Sequence, residues 1–480
     1  MTSENNVRTS PRVSDEEMEK QRDYIARLRE INSAKEAVPM AFVETYGCQQ
    51  NSSDSEKLKG MLADMGYEMC TSAEGADLVL YNTCAVRENA ELRVFGNLGA
   101  LKHSKRRNPA MLIGVCGCMT QQEHIAKAIK SKYKHVDMVF GTHALYRFPQ
   151  ILWEAVEHNR VFDVKDEAGA VFEDVPVRRD PIPLAKVPIM YGCNNFCTYC
   201  IVPYVRGRER SRDPEKILEE CRRVASEGYK EVMLLGQNVN SYGNDTDGIT
   251  FAQLLRQVCR IDGIERIRFM TSHPKDLSDE LIAAMAEEPK ICNQLHLPVQ
   301  AGSDRVLKAM NRKYTLREYM DKIRKIRQAI PDIVLTTDII VGFPGETNED
   351  FEQTLKVLQE VEYDMIFSFI YSKRVGTPAA EMADCLTEEE KHRNFDRMLA
   401  VQNEISKRKN DAYKNTVQRV LTEGVSKTNA DTLTGRTEGG KVVNFIRPEG
   451  IEDRDLVGEI VQVEITETQT WSLFGKMVNY

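Results

Sequence analysis

The chain has 480 residues, 41% hydrophobic and 29% charged, which excludes a disordered or fibrous protein and provides core enough for several domains. At the usual size of about 100–200 residues each, roughly two to four domains are expected. The 65 Lys and Arg against 73 Asp and Glu give a net charge of −8, which excludes coating of nucleic acid by bulk phosphate neutralisation.

Residues 1–37 are polar and charged, with one weakly amphipathic stretch from Glu16 to Ile31, and read as an extension. Met1 to Ser10 have no apolar run behind them, so no secretory signal is expected. No apolar stretch approaches the roughly 20 residues that cross a bilayer, so no membrane association is expected. The 12 cysteines are therefore expected in the reducing cytoplasm, where thiols serve metals or chemistry more than disulfides.

Across residues 38–165 short apolar runs alternate with helical patterns, the signature of βαβ units and an open parallel sheet. Ala41-Phe42-Val43 leads to Cys48, Leu78-Val79-Leu80 to Cys84, and Met111-Leu112-Ile113 to Cys118. These cysteines, 36 and 34 residues apart, fall where strands end, at the sheet edge where open α/β proteins bind ligands. Spacing alone leaves two readings open: convergence on one metal centre, or separate buried core residues. The run Lys102, Lys105, Arg106 and Arg107 reads as a solvated helix face. Residues 163–188 are charged and rich in proline (Pro176, Pro181, Pro183, Pro188), and a linker is placed at 166–186.

Cys193, Cys197 and Cys200 follow in a C-x3-C-x2-C run, three thiolates where a closed zinc site needs four ligands. A four-iron cluster held by three thiolates leaves one iron free for an outside ligand, the arrangement that feeds single electrons to S-adenosylmethionine (SAM). Tyr199, within the run, would lie beside the adenine of SAM in such an enzyme, or else is a packed aromatic. Arg206, Arg208, Arg210 and Arg212 come next; they suit an anionic substrate or the cofactor carboxylate, and part of the run suits salt bridges with Glu209 and Asp213.

Residues 187–412 carry six strand candidates separated by helical patterns: Val187–Tyr191, Glu231–Leu235, Arg266–Thr271, Gln294–Val299, Val334–Val341 and Met365–Tyr371. They predict a partial (β/α)6 barrel with its chemistry on loops at the carboxyl ends of strands, where the cysteine run sits. Residues 413–480 change to short β-type runs with Gly-rich turns, at Val417–Glu423, Gly439 to Val443, Ile460–Ile465 and Trp471–Val478, and predict a small β-barrel. That segment holds eight Lys and Arg against ten Asp and Glu, so RNA binding there would use stacking, with Phe445, Trp471 and Phe474 as candidates or as barrel core. Cys70, Cys116, Cys221, Cys259, Cys292 and Cys385 are assigned to packing.

Several runs together resemble the radical-SAM methylthiotransferase family from about residue 40 onward. They are Thr45-Tyr46-Gly47-Cys48-Gln49-Gln50-Asn51, Asn82-Thr83-Cys84-Ala85-Val86-Arg87, Gly117-Cys118-Met119, Gly192 to Tyr204, Gly236-Gln237-Asn238, Leu297 to Ser303 and Gly342 to Thr347. Leu433-Thr434-Gly435-Arg436-Thr437 is similar to the family's RNA-binding TRAM barrel. Within the family the chain most resembles the branch acting on isopentenyl-adenosine beside the tRNA anticodon, with Cys193 through Arg212 as the best marker. Gln50 and Tyr191 depart from that branch's pattern, and neither is a ligand.

The resemblance implies that Cys193, Cys197 and Cys200 hold the radical-SAM [4Fe-4S] cluster and that Cys48, Cys84 and Cys118 hold a second, auxiliary one. It implies further SAM contacts at Gly236, Gln237, Asn238, Gln300 and Ser303, beside Tyr199, although Gly and Asn are also ordinary turn residues at strand ends. Two SAM molecules per product are implied, one cleaved to a hydrogen-abstracting 5′-deoxyadenosyl radical and one methylating a sulfur on the auxiliary cluster before transfer to adenine C2. The implied partners are tRNA, an electron donor such as flavodoxin or ferredoxin, and a sulfur-supplying iron-sulfur carrier. Two alternatives remain open: the same chemistry on threonylcarbamoyl-adenosine or a ribosomal-protein aspartate, and a metal-stabilised RNA-binding protein without catalysis.

Overall fold

The structure is a computed structural model describing residues 8–479 apart from 87, 158–159, 165–168, 181–182, 428, 447–449 and 451. Residues 1–7 of the extension, Arg87, Pro181 and residues 165–168 of the proline-rich stretch thus lie outside the described residues.

The amino-terminal body is a six-stranded, all-parallel sheet of β1 (Met40–Tyr46), β2 (Glu68–Met69), β3 (Leu78–Thr83), β4 (Leu112–Gly117), β5 (Met138–Phe140) and β6 (Val161–Asp163), in the order β2-β1-β3-β4-β5-β6. Helices cover both faces, so β3 is buried along its whole length: Leu78 and Leu80 pack on one side, Val79 and Tyr81 on the other. The extension is more ordered than its composition predicts. A helix spans Asp15–Ser33, started by Ser14 Oγ accepting from the Glu17 N–H at 3.2 Å, and it buries Leu28 against this sheet's core. Ahead of it, Val13 N–H donates to Val171 O at 2.9 Å and Arg12 pairs with Asp213 at 2.8 Å. The extension therefore straps the first body to the second.

The central body holds β7 (Leu184–Pro188), β8 (Met190–Tyr191), β9 (Arg210–Ser211), β10 (Glu231–Leu235), β11 (Arg266–Phe269), β12 (Gln294–His296), β13 (Val334–Val341) and β14 (Met365–Ile370). Strands β7-β10-β11 and β12-β13-β14 form two parallel triplets, joined by a parallel bridge from Ile267 to Ile291. The six strands make the partial (β/α)6 barrel, with its core between strands and outer helices. The first strand differs from the sequence reading. It begins at Leu184 and stops at Pro188, because a proline ends the ladder on that edge and Met190–Tyr191 turn away into an antiparallel hairpin with Arg210–Ser211.

The last body is a closed barrel of β15 (Val417–Val425), β16 (Leu433–Thr437), β17 (Val442–Ile446), β18 (Ile460–Thr468) and β19 (Leu473–Asn479), in the order β15-β16-β17-β19-β18. Phe445 is buried in its core, which removes it as an RNA-stacking candidate; Phe474 is half-buried, and Trp471 is 56% exposed. Two buried arginines inside the central barrel dock it. Arg266 donates to the carbonyls of Arg436 (3.1 Å) and Arg419 (2.8 Å), and Arg268 to those of Glu438 (3.0 Å) and Thr437 (3.3 Å).

Candidate functional site

The loop of Cys193, Cys197 and Cys200 leaves the β8–β9 hairpin, and its backbone is tightly determined. Gly192 has φ +80°, and a Cβ there would fall 2.0 Å from the Arg208 carbonyl oxygen, so no larger residue fits. Phe196 is left-handed at φ +48°, held by Asn311 Nδ2 donating to the carbonyls of Asn195 (3.3 Å) and Phe196 (2.8 Å). Cys193 N–H donates to Gly207 O at 3.1 Å and Cys200 N–H to Cys197 O at 2.9 Å, so the three sulfurs share one loop. Arg312, buried, donates from Nη1 to Cys197 Sγ at 3.3 Å and from Nη2 to Pro298 O at 2.9 Å.

Burial pushes the Cys193 thiol up to about 11 and the Cys200 thiol up to about 12. Thiols so raised become thiolates when a cation coordinates them. Three soft sulfur donors in one loop, with a buried guanidinium beside them, fit an iron-sulfur cluster. Among the described residues no three His, Cys, Asp or Glu side chains close around one ion. A four-iron cluster spreads its three thiolates over three separate irons, so that finding bears on a single ion only.

Cys48, Cys84 and Cys118 stand just beyond β1, β3 and β4, and adjacent parallel strands bring their loops together. Cys48 caps the helix Gln49–Asp64, its thiol donating to Asn51 Oδ1 at 3.3 Å. The nearness of the two thiols holds Cys48 below its ordinary value, and with burial it holds Cys84 above. Asn51 Nδ2 reaches toward Cys118 Sγ at 3.9 Å and donates to Asn82 Oδ1 at 3.1 Å. Gly117, at φ +103°, leaves room for that amide: a Cβ there would fall 2.4 Å from Asn82 Oδ1. Asn51 thus links Cys48 to Cys118 at this sheet edge, and three soft sulfur donors there fit a second cluster by the same chemistry.

The two cysteine sets are neighbours. The short helix Val202–Arg206 begins just after Cys200, and its capping residue Ile201 packs with Val205 against Ala85 and Cys118. Its last residue, Arg206, donates from Nε to Cys118 Sγ at 3.1 Å and from Nη2 to Asp54 Oδ2 at 2.7 Å. The arginine run therefore differs from its sequence reading, since its salt bridges go to Asp54, Glu173 and Glu220 and not to Glu209 or Asp213. Arg212 pairs with Glu173 (2.6 Å) and Glu220 (2.9 Å), and Arg210 donates to the Arg208 and Arg206 carbonyls. Only Arg208 of the four is exposed, with its guanidinium 4.3 Å from the Phe196 ring centroid.

The remaining candidates divide by whether their polar atoms are already committed. Gln237 Oε1 accepts from Gly192 N–H at 2.5 Å, while Asn238 is used up by Asp276 (2.7 Å) and His273 N–H (3.1 Å). Ser303 Oγ donates to Asp350 at 2.6 Å. Tyr199 packs edge-on to Phe343 at 6.5 Å, and a Cβ on Gly236 would fall 2.6 Å from Met190 Cγ. Gln300 sits at φ +72° with its buried Oε1 unpartnered, and Tyr371 OH, Ser272 Oγ and His273 Nε2 are likewise buried and unpartnered. Burial keeps His273 neutral, drawing it down to about 2. Thr271, β-branched at φ +74°, adds a second strained residue at the carboxyl end of the strands. Strain and orphaned polar atoms at this rim fit a polar cofactor such as SAM. Asp54, Thr271, His273, Asn311 and Arg312 escape sequence reasoning, because no local pattern distinguishes them.

Three family models match the chain: the radical SAM superfamily over residues 187–358, the uncharacterized protein family UPF0004 over 40–141, and the TRAM domain over 411–478. The chain is 55% identical over 472 residues to the tRNA-2-methylthio-N(6)-dimethylallyladenosine synthase of Acetivibrio thermocellus, covering 97% of each chain. It is 52% identical over 468 residues to a protein of the same name from Thermoanaerobacter, covering 97% of this chain and 98% of the other. Among solved structures, the radical SAM methyltransferase TsrM from Kitasatospora setae shares the fold, with a TM-score of 0.54 at 12% identity over 72% of this chain and 77% of the other.

Proposed function

The chain belongs to the radical-SAM tRNA methylthiotransferase family, that of the tRNA-2-methylthio-N(6)-dimethylallyladenosine synthases, and on that premise we propose how its residues divide the work. The enzyme methylthiolates the C2 carbon of N6-isopentenyl-adenosine in tRNA, giving 2-methylthio-N6-isopentenyl-adenosine. It takes SAM and a [4Fe-4S] cluster.

In this reading Cys193, Cys197 and Cys200 hold the radical-SAM cluster, and Cys48, Cys84 and Cys118 hold an auxiliary [4Fe-4S] cluster. The contact of Ile201 and Val205 with Cys118 supports it, because it brings the segment after Cys200 against a cysteine of the other set. When bound, the two clusters with two SAM molecules supply reductive SAM cleavage at one and a methylatable sulfur at the other. The chain's own residues do the rest. Arg312 and Arg206 offset thiolate charge, Gln237 pins the turn before Cys193, and Gln300 offers its free oxygen to SAM. The loops around both centres exclude water and hold the adenine near the reacting groups.

In this reading residues 38–165 serve the auxiliary centre, 166–186 the linker, 187–412 the SAM barrel and 413–480 RNA, with the barrel's first strand reaching back to Leu184. Among the described residues no helix is long and apolar enough to cross a membrane. Action on tRNA places the work in the cytoplasm, with a flavodoxin- or ferredoxin-type electron donor and an iron-sulfur carrier replenishing the sulfur. The test is anaerobic incubation of cluster-loaded protein with SAM, reductant and tRNA carrying isopentenyl-adenosine, followed by nucleoside mass spectrometry. A methylthiolated nucleoside is the expected result; deoxyadenosine without it refutes the substrate.

A further inference from the structure

We propose that Arg206 sets the reduction potential of the centre held by Cys48, Cys84 and Cys118, and that a side-chain relay from Arg206 ties that centre to the loop of Cys193. The proposal rests on the ligand assignment above. Arg206 and Asp54 are both buried, with 6% and 4% of their side chains exposed, at the seam between the first two bodies. The guanidinium gives Nε to a cysteine sulfur and Nη2 to the carboxylate, so Asp54 aims Nε at Cys118 Sγ. Beyond Asp54 the chain of bonds continues: Gln50 Nε2 donates to Asp54 Oδ1 at 3.1 Å, Gln237 Nε2 to Gln50 Oε1 at 3.4 Å, and Gly192 N–H to Gln237 Oε1 at 2.5 Å. One end is the sulfur of Cys118 and the other is the peptide before Cys193. Arg206 is thus a positioning residue that acts through a ligand.

Hydrogen bonds to ligand sulfurs and nearby charge are principal means by which a protein sets cluster potential. An N–H···S bond strengthens as a cluster gains an electron, because negative charge builds on sulfur. A cation there favours the reduced state and an anion the oxidised state, in a buried setting where neither is well screened. Arg206 therefore raises the potential and Asp54 lowers it. The two residues share one ion pair, so a purely structural role would make their loss act in the same direction; an electrostatic role makes them act oppositely. Lysine keeps the charge at 206 but lacks the planar fork that serves both partners. Asparagine at 54 keeps an acceptor and removes the anion.

The experiment uses the full chain carrying Cys193→Ala, Cys197→Ala and Cys200→Ala, loaded anaerobically with iron and sulfide, so that one centre remains. Its potential is read by redox titration with electron paramagnetic resonance. Iron and sulfide are expected to remain bound, and their absence overturns the ligand assignment and this proposal with it. With iron bound, Arg206→Lys is expected to lower the reduced fraction tenfold or more at fixed poise, about 59 mV for a one-electron couple, and Asp54→Asn to raise it. Unchanged potentials, or shifts of the same sign, overturn the proposal while the assignment stands. Should R206K fail to load iron, D54N decides by its sign, a fall being fatal. In the enzyme with all six cysteines, Gln50→Ala cuts the relay without touching Arg206. Deoxyadenosine formed per methylthiolated nucleoside is expected to rise at least twofold, and an unchanged ratio overturns the relay.

Discussion

Each of the six proposed ligands has its own sulfur environment, and the differences yield separable outcomes. Cys197 receives the Arg312 hydrogen bond inside the barrel. Cys197→Ala is expected to abolish deoxyadenosine formation from SAM, measured by chromatography of anaerobic reactions, because two thiolates do not retain the cluster. Cys84 lies across the seam, receiving the Val86 N–H at 3.3 Å. Cys84→Ala is expected to keep deoxyadenosine formation and lose the methylthiolated nucleoside; retained transfer would remove Cys84 from the auxiliary site. At this scale the sequence exposes the C-x3-C-x2-C run, because those ligands are adjacent in the chain. It hides Asp54, Arg206 and Arg312 as partners of the sulfurs, since Arg206 and Asp54 are 152 positions apart and Arg312 and Cys197 are 115.

Among the elements, the β8–β9 hairpin and the loop after β13 carry the main constraints on the site. Gly192→Ala places a methyl where the Arg208 carbonyl already sits and forces a left-handed φ on alanine. Iron bound per chain is expected to fall by about half or more in that variant when the Cys48, Cys84 and Cys118 set is intact, read by iron assay after reconstitution. Beyond β13, Glu346 is buried and accepts from the Gly342 N–H at 2.5 Å. Burial, opposed by that hydrogen bond, pushes its carboxyl up to about 7. The folded state then holds this proton more tightly than the unfolded chain, so the stability this group contributes is greatest in acid and falls as pH rises from about 4.5 to 7. The loss is roughly 3 kcal/mol at about 1.4 kcal/mol per pKa unit. Denaturant titrations of Glu346→Gln, which cannot ionise, are expected to lack this slope; an identical slope would refute it.

Element existence is well marked in the sequence, and element ends are less so. β10 and β13 have the bounds that their apolar runs predict, Glu231–Leu235 and Val334–Val341. β7 does not, because Pro188 stops pairing at an edge whose position the sequence alone does not reveal. The strand Leu433–Thr437 reads as a family motif and not as a β run, since Gly435 sits where a Cβ would meet the Leu421 carbonyl at 2.3 Å.

Across the whole molecule, buried charges join the bodies. Lys186 of β7 pairs with Glu56 of the first body at 2.7 Å, and Arg268 pairs with Glu231 at 2.8 Å while donating into the carboxyl-terminal barrel. Removing one partner of a buried pair strands the other. Arg268→Ala is therefore expected to cost about 3–5 kcal/mol and to split thermal unfolding into separate transitions for the last barrel and the rest. A single cooperative transition at the original temperature in calorimetry would refute this coupling.

The sequence by itself determined the three bodies, the parallel order of the strands within βα units, the cysteine run and the family, because apolar periodicity, turn residues and closely spaced ligands are all local signals. Only the tertiary structure decided that Asn51 touches both Cys48 and Cys118, that Arg206 crosses a seam to reach Cys118, that the amino-terminal extension is a strap, and that Phe445 faces inward. Those facts depend on which surfaces pack together. Burying charged and thiol groups is tolerable only where partners far along the chain satisfy them, and no local pattern encodes that pairing.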